Sequence, residues 1–379
     1  MAHCLIVAPI VASGAPALRD VLAGSLDAVL GRPNALGLPS RRRVVVLVVD
    51  GLGWEALAAR AGHARTLTGG DRRRIVTGAP TTTAAALTTL ATGVEPGVHG
   101  VVAYAALDPA QDLVVNQLHG FDSPGPASDR ATLPGGWQRA ATQFERATGE
   151  GVAALAVGPR HYATSGFTRE ALRGSTYVGA RVIEERLPAA FGALRTAGRG
   201  IAYCYVPELD VAAHRDGWGS GEWTALLERV DGAVRDAVAD LRSGETLLVT
   251  ADHGMVDVPA SAHVLLDGSG LLGDVRRLAG EPRLLHVHLV PDAEDAQARW
   301  AAALGAAADV RTRQQAIDEG WFGASVDSDV APRIGDLLVA SRGNAAFYAT
   351  EDAPARGMVG QHGAWTPAER FVPLVRFDG

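Results

Sequence analysis

The sequence predicts an α/β fold with a mostly parallel central sheet, and three observations predict it. Short runs of β-branched residues recur along the chain and end in polar residues. Segments with helical apolar spacing separate them, which is the alternation of a parallel sheet with crossover helices. At 379 residues with 47% hydrophobic side chains, the chain can bury one large core without disulfides or metal staples.

The clearest strand runs are Arg43–Asp50 (RVVVLVVD), Gly151–Gly158 (GVAALAVG), Gly200–Val206 (GIAYCYV) and Glu245–Asp252 (ETLLVTAD). Their near-continuous apolar character means strands buried on both faces. Ser175–Leu194 and Glu222–Leu241 carry the helical pattern. After His253 come strand-like His286–Val290, helix-like Asp292–Gly305 and the run Arg333–Ala340 (RIGDLLVA). These predict a small α+β insertion over 256–348, with 1–255 and 349–379 forming the main domain. Asp122–Gly136, rich in Gly and Pro, reads as a surface crossing.

Composition narrows the function. The net charge is -7, and no dense basic run is interleaved with aromatics, which disfavours a nucleic-acid polymer and leaves a small soluble substrate. Cys4 and Cys204 form no CxxC pair, so neither a disulfide framework nor a thiolate zinc site is expected, and Cys204 reads as core. The start lacks a basic n-region, and no apolar run is long enough to span a bilayer, so the expectation is a cytoplasmic protein without a membrane partner. Every basic residue other than histidine is Arg, which removes Lys as a catalytic base.

In open α/β sheets the ligand site lies beyond the carboxyl ends of the strands. Asp50 and Asp252 occupy that position, with Gly51 and Gly254 suited to tight exits. Carboxylates gathered there repel one another unless a cation or protons intervene. In YVPELDVAAH, Asp210 and His214 stand at i and i+4, on one face if the segment opens a helix. TADHG places His253 beside Asp252, and QHG places His362 near the C-terminus. The stretch APTTTAAALTTLATG reads as a helix N-terminus, where backbone N–H groups and the helix dipole favour a phosphoryl anion.

VVDGLG around Asp50, APTTTAAALTTLATGVEPGVHGV around Thr83, YVPELDVAAH, and TADHGM followed by QHG occur in that order over about Arg43–Phe377. This ordered set resembles the alkaline phosphatase superfamily, and most closely its type I phosphodiesterase and nucleotide pyrophosphatase family. The resemblance implies a three-layer α/β/α sandwich and two divalent metal ions. It implies that Asp50, Asp252 and His253 bind one metal with the Thr83 oxygen, and that Asp210, His214 and His362 bind the other. Register within P-T-x-T implies Thr83 as the nucleophile, with Thr81 or Thr82 as the fallback. The implied reaction is in-line displacement in two steps through a phospho-threonine intermediate. Imidazole-rich ligation favours Zn²⁺, with Mn²⁺ as the alternative.

Tyr205 matches an aromatic that stacks on the base in that family, and it equally reads as a strand-end residue packing inward. Where those enzymes carry an Asn that contacts phosphate, register gives Tyr104, whose phenol can also donate a hydrogen bond. Ala84 and Ala86 replace the aromatic and Asn that follow the nucleophile. The expected activity is that of a phosphodiesterase or nucleotide pyrophosphatase. The alternatives are a phosphomonoesterase, a phosphonate or sulfate ester hydrolase, and a non-catalytic metal-binding relative. The loops Tyr104–Gly136 and Pro159–Thr168 are expected to line the pocket, with His161 as a candidate contact.

Overall fold

The computed structural model describes residues 15–121 and 132–379. Cys4, the chain start and residues 122–131 of the expected surface crossing lie outside the described residues.

The main sheet has seven strands, in the order Asp71–Val76, Phe371–Asp378, Glu245–Thr250, Arg43–Val49, Gly200–Val206, Ala153–Pro159 and Thr176–Ala180. All are parallel except Phe371–Asp378, which runs antiparallel to both neighbours. Of the six residues Val44–Val49 all are buried, as the unbroken apolar run requires of a strand covered on both faces. Helices Leu18–Leu30, Ile183–Ala197 and Gly221–Ala239 pack with the sheet into one core that takes in Val46, Phe191, Trp223 and the buried Cys204. Among the described residues no helix is long and apolar enough to cross a membrane.

The helix expected over Ser175–Leu194 divides in the structure. Thr176–Ala180 is the edge strand of the sheet, and the helix starts only at Ile183. The segment TYVGA, with its aromatic, Val and Gly, pairs with Leu155–Pro159 and so satisfies its backbone there.

A second, antiparallel sheet is ordered Val275–Glu281, Leu284–Leu289, Leu337–Ser341, Ala308–Thr312 and has its own core around Val287, Trp300, Val339 and Phe347. The helix here is Ala296–Leu304, shorter at its start than the apolar pattern suggested. Of RIGDLLVA, only the part from Leu337 is strand. At the base of this unit Val256–Asp257 pairs antiparallel with Gly360–Gln361, which delivers the chain to His362.

Register explains why the polar residues converge. Val48 lies opposite both Tyr205 and Thr250, so the strand ends carrying Asp50 and Asp252 and the turn into the Glu208–Asp216 helix open at one edge of the sheet. Gly51 has φ 73°, and a Cβ there would press on the Asp210 backbone at 3.4 Å. The glycine therefore serves both the left-handed turn and the close approach of the two aspartates.

Candidate metal centre and catalytic pocket

Two strands, two helices and one loop assemble the site. Asp50 and Asp252 come from adjacent strand ends, and both are buried. Asp210 and His214 stand on one face of the Glu208–Asp216 helix, with Asp210 Oδ2 3.3 Å from His214 Nε2. His362 comes from the loop after Gly360–Gln361, its Nε2 3.8 Å from Asp210 Oδ1. Thr83 opens the Thr83–Thr92 helix, and its hydroxyl lies 3.1 Å from His253 Nε2.

Each histidine is aimed by a backbone carbonyl. The Nδ1 atoms lie 2.7 Å from the Gly360 carbonyl for His214, 3.1 Å from that of Gly254 for His253, and 2.8 Å from that of Thr81 for His362. An Nδ1–H donated to each carbonyl leaves Nε2 with its lone pair facing the site, as a metal ligand requires. The rings of His253 and His362 stack with centroids 3.7 Å apart.

The carboxylates carry the electrostatic signature. Burial pushes the Asp50 carboxyl well above its usual range, and the negative charges of Asp252 and Asp210 push it further. Burial also raises Asp210, while His214 and His253 oppose the rise. Burial depresses the His362 imidazole, and its histidine neighbours add to that. Asp50 Oδ1, Asp210 Oδ1 and Asp252 Oδ2 are buried without any hydrogen-bond partner. Unpaired buried carboxylate oxygens gathered with imidazoles are costly for a protein alone and suit divalent cations. Two ligand groups are close enough to hold one ion each: Asp210, His214 and His362, and Asp50, Asp210 and His253, with ligand atoms within 4.8 Å of one another in each. Asp210 belongs to both groups. Asp252 adjoins the second, with Oδ2 3.6 Å from His253 Nε2, and its Oδ1 accepts from the His253 backbone N–H at 3.0 Å.

Beside the centre is a cavity of about 180 Å³ whose wall includes Asp50, Thr83 and Asp210. Its other side is aromatic, with Tyr162, Phe167, Tyr177, Tyr203 and Tyr205. Both expected loop regions contribute, through Leu118 and His119 and through Tyr162–Thr168. His161 is exposed and borders an adjoining open groove instead.

Tyr205 combines two roles. Its ring stacks on Tyr203, with centroids 5.9 Å apart, and forms part of the cavity wall, while its hydroxyl donates to Asp50 Oδ2. Tyr104 is 38% exposed and is not among the described residues lining the cavity, so the register argument that offered it as a phosphate contact gains nothing from its position. Its backbone is occupied instead, the carbonyl accepting from Gln117 N–H at 2.7 Å. Sequence reasoning missed the aromatic wall, because Tyr162, Phe167, Tyr177 and Tyr203 come from four separate elements and share no spacing.

A parallel sheet with carboxylates and imidazoles gathered at its carboxyl edge, beside a helix that opens on a hydroxyl, defines a metal-dependent hydrolase. The model of the type I phosphodiesterase / nucleotide pyrophosphatase family matches residues 44–365, and the chain belongs to that family. It is a phosphoester hydrolase of the phosphodiesterase or nucleotide pyrophosphatase type. The fold is similar to murine ectonucleotide pyrophosphatase/phosphodiesterase 5, with TM-score 0.69, 16% identity, and 89% of this chain and 88% of that one covered. An inactive form of the same murine protein, solved in complex with AMP, matches with the same TM-score and identity over 88% and 87% of the two chains. Phosphonoacetate hydrolase from Sinorhizobium meliloti, in complex with phosphonoacetate, matches with TM-score 0.68 and 18% identity over 90% and 91%. Among curated protein sequences, none matches this chain.

Proposed function

We propose that this protein hydrolyses small phosphodiesters or pyrophosphates of the nucleotide type, with Thr83 as nucleophile. Asp50, Asp252 and His253 would hold one metal ion together with the Thr83 oxygen, and Asp210, His214 and His362 the other. The imidazole share favours Zn²⁺, with Mn²⁺ as the alternative. Such ions activate the nucleophile and neutralise the charge of the phosphoryl group. Thr83 Oγ1 forms the bond to phosphorus while the ester oxygen leaves from the opposite face, and water then cleaves the phospho-threonine. Tyr205 holds Asp50 in place through its hydroxyl.

One observation carries the reading. The Thr83 hydroxyl sits at a helix N-terminus 3.1 Å from His253 Nε2, beside three unpartnered carboxylate oxygens. The choice of a diester rests on the cavity. Its described lining contains aromatic, aliphatic and hydroxyl side chains with His119, but no Arg to neutralise a second negative charge. A phosphomonoester dianion or the carboxylate of phosphonoacetate would therefore be left unpaired, whereas the uncharged arm of a diester packs on the tyrosines.

With Zn²⁺ or Mn²⁺ supplied, kcat/KM for bis-p-nitrophenyl phosphate is expected to exceed that for p-nitrophenyl phosphate or phosphonoacetate by about tenfold or more. Faster turnover of the monoester or the phosphonate overturns the substrate assignment. Tyr205→Phe is expected to weaken metal binding by about 10- to 100-fold, as loss of an outer hydrogen bond to a ligand does. Unchanged affinity in a metal titration would remove Tyr205 from that role.

A further inference from the structure

The antiparallel unit reaches the site through the tip of one hairpin, Glu281–Pro282–Arg283, between the strands Val275–Glu281 and Leu284–Leu289. The two charged side chains of this tip enter the main domain and meet opposite fates. Arg283 is fully buried, and its guanidinium makes four hydrogen bonds. Its Nε and Nη2 donate to Glu369 at 2.7 and 2.9 Å, and further N–H groups donate to the carbonyls of Ala345 and Gly343. Glu369 in turn accepts from the Ala364 and Thr366 backbone N–H groups, each at 3.1 Å, just beyond His362.

Glu281 is 8% exposed, and both of its oxygens are buried without a hydrogen bond of normal geometry. It lies against Gly363, where a Cβ would come within 2.6 Å of the Glu281 Cγ and where φ is 136°. Only glycine beside His362 admits this side chain. The groups facing it are the Thr82 hydroxyl and the Tyr104 N–H, and the nearby charge is the carboxylate of Glu369. Among the described residues no cation pairs with it, and the neighbouring Arg283 is committed to Glu369. Burial, with Glu369, pushes the carboxyl up to about 8.

Thr82 precedes the nucleophile, and its hydroxyl is likewise buried without a partner and does not cap the Thr83–Thr92 helix. Thr81 is tied to the metal-side loop, since its hydroxyl accepts from Gly363 N–H at 3.0 Å and donates to the Ala364 carbonyl. The turn that carries Thr83 is thus held by the loop at Thr81 and faced by Glu281 at Thr82.

We infer that Glu281 is a positioning residue for the nucleophile: its buried carboxyl, delivered by the hairpin, engages the Thr82 hydroxyl and fixes the turn that aims Thr83 at His253. The inference rests on the reading of Thr83 as nucleophile. A buried carboxyl without a cation costs stability, and an apolar side chain of similar volume would pack there at less cost. A residue that destabilises the fold and sits against the nucleophile turn is accounted for by function.

Glu281→Met keeps the volume and removes the polar group. Relative to wild type, it is expected to raise Tm by a few degrees. It should also lower kcat on bis-p-nitrophenyl phosphate by about tenfold with KM within about twofold, as a slightly misplaced nucleophile would. Glu281→Gln, which keeps hydrogen-bonding capacity, should stay within about threefold of the wild-type kcat. Thr82→Val removes the partner and should reproduce the Glu281→Met loss, with the double variant no worse than either single one. A wild-type kcat in Glu281→Met or Thr82→Val, a fall in Tm for Glu281→Met, or a Gln variant as impaired as the Met variant each overturns the proposal. If Thr83→Ala keeps its activity, the nucleophile reading has failed instead, whatever Glu281 does.

Discussion

Thr83→Ala is expected to lower kcat on a phosphodiester by about 10³-fold or more at saturating metal, with Tm close to wild type. The neighbouring hydroxyls cannot take over. Thr81 is engaged by Gly363 and Ala364, and the Thr82 hydroxyl is buried facing Glu281. The substitution removes one hydroxyl and one methyl from the rim of the cavity and leaves Asp50, Asp252 and His253 in place. Quenched-flow labelling with a diester radioactive at phosphorus should trap the phosphoryl group with its retained ester arm on the wild type in amounts approaching one per site and none on the variant. Residual turnover within tenfold of wild type, or label recovered on Thr82, would refute Thr83 as the nucleophile.

The part of this molecule that was legible from sequence is the part where backbone and chemistry coincide. Asp50 and Asp252 could be found because a buried apolar strand must end at the functional edge of a parallel sheet, and Asp210 and His214 because helical spacing puts i and i+4 on one face. His362 was weaker by itself and became readable through the order of the motifs. The Thr176–Ala180 strand was hidden because its apolar residues run into those of the following helix, and pairing with Leu155–Pro159 decides the matter. Glu281 and the aromatic wall were illegible for a different reason. They depend on which distant elements meet, and neither local propensity nor spacing encodes that contact. Tyr205 was readable as an aromatic beside the site, but its hydroxyl contact with Asp50 needed three-dimensional placement.

Removing metal is expected to abolish hydrolysis and to expose the pH dependence that carboxylate burial imposes. In the metal-free protein Asp50 and Asp210 have raised pKa values, so the folded state binds protons that the unfolded chain has released. Stability from these groups is fully present below the ordinary aspartate pKa of about 3.9 and is lost as pH rises through the raised folded values. His362 acts the other way. Its depressed pKa withdraws stability as pH falls below about 6.5, and the buried His99 and His286, both lowered to about 3, do the same. Above about pH 6.5 the histidines fade from the balance. The metal-sensitive carboxylate effect is read there as the difference between chelated and metal-loaded protein, since Glu281, raised to about 8, adds the same falling slope to both. There the chelated protein should lose Tm as pH rises. Zn²⁺ or Mn²⁺ at about 100 times its Kd should contribute about 2.7 kcal/mol, raise Tm by about 3 °C, and reduce that slope by replacing protons as the counter-charge of the aspartates. Calorimetry across this range, with and without chelator, separates the terms, and parallel assays should show activity lost on chelation and regained with metal. Hydrolysis that survives exhaustive chelation, or a pH slope of Tm that metal leaves unchanged, would show that the three aspartates do not form a cation site.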